Sequence, residues 1–330
     1  MPAIVTAGDQ RAARAVYGDS KVYLRIAGRA LVAHVVAALQ RVPEVSEVWV
    51  VGNEERLRGV FEDPALRAEL VKPLHLVPQF RSLYENGWQT YRRLLPGAPP
   101  EGREPGPEDR DREVLYLSGD LPLATPQEIS AFIQQSRALD CCYALGLVTE
   151  ESMRGFLPAA PGAPGVAPAF FNVREGRFRQ SNLHLIRPAR IENRFYLQEM
   201  YEHRHQKEWG NIAALAWRLL RSEQGGLAVA GYYALMVLAG FAHRRGWSGL
   251  ADWIRWRIPS ERIERGVGGL LGGSFRLVVT EAGGCALDID REEEYDAVSS
   301  CFESWRKEQY ARAERLYGPP ELPARLGGPR

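Results

Sequence analysis

Four cysteines in 330 residues, two of them adjacent at Cys141 and Cys142, supply neither a disulfide framework nor a Cys-x-x-Cys metal pattern. They suit a reducing cytoplasm. An excess of one charge is also missing. The chain carries 42 Lys and Arg against 41 Asp and Glu, a net charge of +1, which argues against a partner such as nucleic acid. The opening Met1-Pro-Ala-Ile-Val-Thr-Ala-Gly8 has no basic n-region and no long apolar h-region, so secretion is not expected and the cytoplasm is. Histidines are few, and Tyr201-Glu-His203-Arg-His205 spaces two of them so that a helix turns them to different sides; the run reads as surface. Long apolar runs are scarce. One uncharged stretch of eighteen residues, Gly225 to Ala242, approaches the length of a membrane span of about 17 to 25 residues, but its glycines and alanines favour a buried helix. No internal repeat is evident. What is present, 45% hydrophobic and 25% charged residues, is enough for a large core in one elaborated domain or two smaller ones.

Local patterns alternate between strand and helix. Ala3 to Ala7 reads as a strand, followed by a polar loop from Gly8 to Ser20 and a short edge or loop segment from Lys21 to Ile26. An amphipathic helix is expected from Leu31 to Gln40, with Leu31, Val35, Val36 and Leu39 on one face. Strands follow at Val45 to Val51 and Leu74 to Val77. Ser82-Leu-Tyr-Glu85 and Thr125-Pro126-Gln127-Glu128 have capping-box spacing and open helices. Between them, Pro96 to Glu113 holds five prolines and three glycines, the composition of a flexible surface loop. Cys142 to Val148 is a further strand. This order predicts an α/β fold, a Rossmann-like, mostly parallel sheet with helices on both faces. Beyond the Pro/Ala/Gly connector from Pro158 to Pro168, short strands are expected at Phe170 to Val173 and Asn182 to Ile186. The pattern is then helical from about Arg194 to Ile258, a large helical insertion, before a strand at Phe275 to Thr280 and a long C-terminal helix to about Arg315. The expected organisation is an α/β core (1–157), a portion with the helical insertion (158–274), a return segment completing the core (275–317) and a flexible tail (318–330).

The run Val114-Leu-Tyr-Leu-Ser-Gly-Asp120-Leu-Pro-Leu is the most informative. Apolar residues before a lone carboxylate read as a buried parallel strand delivering Asp120 to the carboxyl edge of the sheet, where open α/β folds bind ligands. A carboxylate there can hold a divalent cation against a triphosphate; an isolated Gly-Asp, however, often only caps a turn.

Three segments in order resemble the nucleotidyltransferases with a molybdenum-cofactor-guanylyltransferase-like nucleotide-binding domain, in the nucleotide-diphospho-sugar transferase superfamily. Ala3-Ile-Val-Thr-Ala-Gly8, with Lys21 and Gly28-Arg-Ala-Leu-Val after it, is similar to that family's opening strand, phosphate loop, lysine and helix start. Leu117-Ser-Gly-Asp120-Leu-Pro is similar to its Gly-Asp-x-Pro strand end, and Ala286-Leu-Asp288-Ile-Asp290 to its late Asp-Ile-Asp segment. The resemblance implies a GT-A-like fold and attack of a phosphorylated acceptor on the α-phosphorus of a nucleoside triphosphate, with CTP slightly preferred and pyrophosphate leaving. It implies Asp120 and Asp290 as ligands of Mg²⁺, with Mn²⁺ as the alternative ion, and Lys21, Arg11 and Arg14 as catalytic cations. Ala7, Gly8, Gln79, Ser82 and Asn86 are the expected nucleotide contacts, and Asn182, His184 and Arg187 the expected acceptor contacts.

Local readings compete with some of these roles. Asp290 precedes a helix with Glu293 three residues on, so capping explains it as well as coordination does. Asp288 alternates with Asp290, and side-chain facing alone does not separate the two. The family's loop usually reads Ala-Gly-Gly-x-Gly-x-Arg; here it reads Ala7-Gly8-Asp9-Gln10-Arg11-Ala12-Ala13-Arg14, with one glycine and an added acid that needs a partner. Arg11 or Arg14 would replace lost amide contacts with guanidinium contacts. That departure keeps a non-catalytic nucleotide-binding protein in view. A glycosyltransferase of the same fold is disfavoured, because the central strand ends Gly119-Asp120-Leu121-Pro122 rather than Asp-x-Asp. After the uncharged stretch come His243-Arg-Arg245, Trp247, Trp253, Arg255, Trp256 and Arg257; a homodimer interface or acceptor lid is expected there ahead of peripheral membrane contact.

Overall fold

The structure is a computed structural model that describes residues 1–9, 15–194 and 226–320. Its eight-stranded sheet is built from Pro2–Ala7 (β1), Glu47–Gly52 (β2), Leu74–Pro78 (β3), Val114–Ser118 (β4), Tyr143–Thr149 (β5), Phe171–Val173 (β6), Gly176–Ile186 (β7) and Phe275–Thr280 (β8). The order is β3-β2-β1-β4-β7-β5-β8, with β6 paired to β7 as a hairpin. β1 is parallel to β2 and β4, β3 to β2, and β8 to β5. β7 runs antiparallel to both of its sheet neighbours, β4 and β5. The mostly parallel α/β sheet expected from the alternation is therefore present, with one reversed strand near its middle.

Helices cover both faces: Leu31–Leu39 (α1), Glu54–Phe61 (α2), Pro64–Glu69 (α3), Leu83–Leu94 (α4), Pro126–Ala138 (α5), Glu150–Met153 (α6), Gly226–Arg244 (α7), Ser248–Arg255 (α8), Ser260–Leu271 (α9) and Glu292–Tyr317 (α10). The period of two along β1 assigns the layers. Ala3, Val5 and Ala7 pack with α1 and α5, through Val32, Val36, Ile129 and Phe132, whereas Ile4 meets Tyr91 and Leu94 of α4 on the other face. A strand covered on both faces has no reason to alternate apolar with polar residues, which is why β1 and β4 read as continuous apolar runs.

Four local expectations change. α1 is not amphipathic but buried nearly all round, since Val32, Ala33 and Ala38 are as enclosed as Leu31 and Leu39. In both capping boxes the hydroxyl half forms, from Glu85 N–H to Ser82 Oγ (3.1 Å) and from Glu128 N–H to Thr125 Oγ1 (3.4 Å). The glutamate half does not. Glu85 accepts from Arg81 N–H, and Glu128 accepts from Thr280 Oγ1, Gly283 N–H and Cys285 N–H at 2.9 to 3.1 Å, tying α5 to the chain leaving β8. The loop from Pro96 to Glu113 is irregular but fastened. Buried Asp109 accepts from both terminal nitrogens of Arg103 (2.6 and 3.1 Å) and from Gly106 N–H (2.9 Å). Finally, helix continues past Ile258 into α9, whose Val267, Leu270 and Leu271 are buried. Residues 158–274 thus supply β6, β7 and α7 to α9, and β7 is woven into the sheet.

Because most strands are parallel, the carboxyl ends of β1 to β5 and β8 gather at one edge. β7 contributes its beginning to that edge, since Phe178 pairs with Thr149 and Ile186 with Tyr143.

Candidate active site

β4 ends at Ser118, and the ladder continues one residue further, Gly119 N–H donating to Thr6 O at 2.9 Å. A Cβ at Gly119 would stand 3.1 Å from Thr6 O and 3.3 Å from Val32 Cγ2, so glycine lets the chain stay this close to β1. Asp120, the next residue, is fully buried at the carboxyl edge, and Ser118 Oγ donates to its Oδ1. Lys21 reaches it from the short 3-10 turn Lys21–Tyr23. Its Nζ lies 2.5 Å from Asp120 Oδ2 and 2.6 Å from Asp290 Oδ1. Asp290 lies between β8 and α10. Its backbone N–H is taken by Glu294 at 2.8 Å and the N-cap of α10 is Arg291, so its carboxylate is carried beside the lysine rather than closing the helix.

A third carboxylate joins them. Asp120, Asp288 and Asp290 each present an oxygen within 4.8 Å of the others. Asp288 is held by Arg179 of β7, whose Nη2 lies 2.5 Å from its Oδ1 and whose Nε donates to Ala286 O at 2.7 Å. Arg179 reaches this edge because β7 is reversed. Burial pushes the Asp288 carboxyl above the usual carboxylate range, and the Asp120 charge adds to it against the pull of Arg179. Burial alone would lower Lys21, but Asp120 and Asp290 outweigh it and hold the ammonium above the ordinary lysine value. Among the described residues, the metal-ligating atoms that converge here are carboxylate oxygens, a set suited to a hard divalent cation.

Beside β4, the turn after β1 gathers residues that follow the ends of β2 and β3. Ala7 closes β1 opposite Gly52. A Cβ at Gly8 would meet Asn86 Nδ2 and Gln79 Oε1, each at 3.3 Å. Asp9, the acid in need of a partner, has them: its backbone N–H donates to Gln79 Oε1 (2.9 Å), its carboxylate accepts from Gln79 Nε2 (2.5 Å), and Arg56 lies 3.5 Å away. Arg56 also grips Asp19 at 2.7 Å and lies over the Tyr23 ring. Asn86 accepts from Phe80 N–H at 2.6 Å, and Ser82 caps α4. Gln79 and Asn86 therefore converge on Gly8, whereas the Ser82 hydroxyl is engaged with its own helix. Arg11 and Arg14 lie outside the described residues.

The acceptor-side candidates separate. Asn182 and His184 are buried on β7, with His184 Nδ1 2.7 Å from Tyr143 Oη. Asn182 is the nearer to the edge that holds Asp120, one residue before the Leu183–Leu117 pair. Arg187 is not brought there. β7 runs against β4, so its end emerges at the opposite edge of the sheet, where Arg187 pairs with Glu113 (2.9 Å) and Asp140 (2.8 Å). The expectation of an acceptor-phosphate contact at Arg187 is corrected by that strand direction.

Arg179, Arg56 and Ser118 are not singled out by the sequence, and Glu128 enters it only as half of a capping box. The contacts of Arg179 and Glu128 span more than a hundred residues, and no local spacing announces them. Ser118 alone had a usable signal, since it stands two residues before Asp120.

The solved structure of a hypothetical transferase from Thermus thermophilus is similar at 21% identity and a TM-score of 0.53, covering 89% of this chain and 98% of that one. It supports the fold. Two others are more distant at 12% identity, each covering 92% of this chain and 97% of its own. They are a 4-diphosphocytidyl-2C-methyl-D-erythritol synthase from Anaerococcus prevotii, TM-score 0.45, and a CMP:2-keto-3-deoxy-manno-octonic acid synthetase complexed with CTP, TM-score 0.44. No curated protein matches the chain. The sequence pattern of the MobA-like NTP transferase domain matches residues 3–174, just over half of the 330. With its strand-end aspartate, lysine and glycine turn on one sheet edge, the chain belongs to the MobA-like NTP transferase domain family.

Proposed function

We propose that the chain is a nucleotidyltransferase that moves a nucleoside monophosphate from a triphosphate, CTP before the others, to a sugar phosphate or small alcohol phosphate. The observation that carries this reading is Lys21 standing between Asp120 and Asp290 at the carboxyl end of β4, the strand paired with β1, after which Gly8 follows. An acceptor phosphate oxygen bonds to the α-phosphorus, the bond from the α-phosphorus to the bridging oxygen breaks, and pyrophosphate leaves with that electron pair. No covalent enzyme intermediate is required, so catalysis consists of alignment and charge neutralisation. Asp120 and Asp290 would hold Mg²⁺, or Mn²⁺ in its place, and Asp288 stands in reserve within the same 4.8 Å cluster. When bound, the ion would supply Lewis-acidic charge at the α-phosphate.

The remaining roles belong to the chain. Lys21 neutralises charge that grows in the transition state. Gly8 lets the backbone approach the phosphates, with Gln79 and Asn86 facing the nucleotide beside it and Arg11 and Arg14 assigned to the phosphates. Asp9 is kept from repelling the triphosphate by its contacts with Gln79 and Arg56. Asn182, with His184 behind it, is the acceptor-side candidate. The preference for CTP rests on the Asp288-Ile-Asp290 segment.

The test is pyrophosphate release by the purified protein with Mg²⁺, crossing the four ribonucleoside triphosphates with sugar, inositol, glycerol and choline phosphates. Acceptor-dependent release is expected with one base and should fall by roughly a hundredfold or more in Asp120→Asn. Triphosphate binding without turnover across the panel would favour the non-catalytic reading instead.

A further inference from the structure

α7 and α8 form a helical hairpin with two distinct sides. One side packs Ala239 of α7 and Ile254 of α8, with Ile258 after it, against Val173 of β6, with Phe178 of β7 joining them. The other side is exposed and aromatic. Along α7, Leu238 and Phe241 are three residues apart, and along α8 and its end, Leu250, Trp253 and Trp256 repeat the same interval, so each set forms one stripe. Trp247 joins the stripes, its ring in edge contact with Phe241 at 6.2 Å. Trp247, Trp253 and Trp256 are 52%, 58% and 69% exposed, although large apolar side chains are ordinarily withdrawn from water.

Cations accompany the patch. Arg245 lies over the Phe241 ring, Arg257 over Trp253 at 3.5 Å and Arg174 over Trp256 at 4.7 Å. Residues 226–258 contain four arginines, Arg244, Arg245, Arg255 and Arg257, against one acid, Asp252, in a chain whose total charge is only +1. Exposed tryptophans bordered by arginines match the chemistry of a bilayer interface, where indole rings settle at headgroup depth and guanidinium groups meet anionic lipid phosphates.

The hairpin is also fastened at a particular place. Arg174 N–H donates to Ile258 O (2.9 Å), Arg174 Nε to Trp256 O (2.8 Å) and Ser260 N–H to Glu175 (3.0 Å). Arg174 and Glu175 form the β6–β7 turn, which lies at the same sheet edge as Asp120. We propose that the exposed face of the α7–α8 hairpin docks the protein on the surface of an anionic bilayer. The contact is peripheral, as no described helix is long and apolar enough to cross a membrane.

The experiment is vesicle flotation of the full chain with phosphatidylcholine alone and with an equimolar phosphatidylcholine and phosphatidylglycerol mixture, at low and high salt. Binding is expected to the anionic vesicles, to weaken with salt, and to fall by about tenfold or more in Trp253→Ala/Trp256→Ala and in Arg245→Glu/Arg257→Glu. These side chains point to solvent, so the variants should fold; circular dichroism checks this. Asp120→Asn should bind vesicles as the parent does, which separates this proposal from the catalytic one. Absence of binding to anionic vesicles overturns it, whether sizing then shows a dimer dispersed by the tryptophan substitutions or an unaffected monomer.

Discussion

At the scale of single residues, burial decides what each ionisable group contributes. His34 of α1 donates from Nε2 to Ile26 O at 3.0 Å and packs edge-on against Phe302 of α10. Burial, aided by the charge of Arg29, pushes its pKa down from 6.5 to about 4, so the folded chain keeps the ring neutral. As pH falls from 6.5 towards 4, the unfolded chain takes up a proton that the folded chain refuses, and stability decreases. The slope approaches about 1.4 kcal/mol per pH unit for this one group. Urea denaturation across that window should show His34→Gln losing less stability than the parent; identical slopes would refute the assignment.

The same scale shows what could be read from sequence. Asp120 stands out locally because a buried strand leads to it, whereas Lys21 and Gly8 are reached only through the resemblance to the family; the fold places Lys21 against Asp120. Arg179 and Arg56 were not legible. Their carboxylate partners, Asp288 and Asp9 with Asp19, come from other segments, and an arginine's spacing gives no sign of which distant acid it will meet. The side-chain facing of Asp288 and Asp290 could not separate them, and in the fold both enter the same cluster.

Among elements, the link between α5 and the chain leaving β8 has the largest consequence. Glu128 is fully buried and accepts from Thr280, Gly283 and Cys285, at the start of the segment that carries Asp288 and Asp290. Glu128→Ala leaves those three donors without their acceptor in a dry site, where each unmet group costs about 1–3 kcal/mol. A destabilisation of several kcal/mol is expected from chemical denaturation, together with a larger fractional loss of turnover than of triphosphate binding. A neutral effect on both would contradict the role. The Thr125 cap was readable in sequence as half of a local motif, but the glutamate's actual destination, 152 to 157 residues away, was not. α9 escaped notice for a different reason: Gly266, Gly268 and Gly269 dilute its apolar period, and its identity comes from packing Val267 and Leu271 beside Phe275.

For the whole molecule, strand alternation predicts a mostly parallel sheet but says nothing about the place of β7. That strand fills the gap between β4 and β5 and reverses direction, which brings Arg179 to the edge that holds Asp120 and Asp288 and sends Arg187 to the other. The family pattern ends at residue 174, before β7 begins. A fragment of residues 1–174 would leave β4 and β5 with unpaired edges, so it should aggregate or lack a cooperative thermal transition, as sizing and circular dichroism would show. A monomeric fragment that melts cooperatively would mean that the sheet closes without β7.

The central claim is that the strand-end carboxylates around Lys21 form a cation site for nucleotidyl transfer. Its most direct test is Mn²⁺ titration followed by electron paramagnetic resonance, comparing the parent with Asp120→Asn and Asp290→Asn. One site is expected in the parent, weakened by about tenfold or more in each variant. Equal Mn²⁺ binding by all three proteins would contradict it.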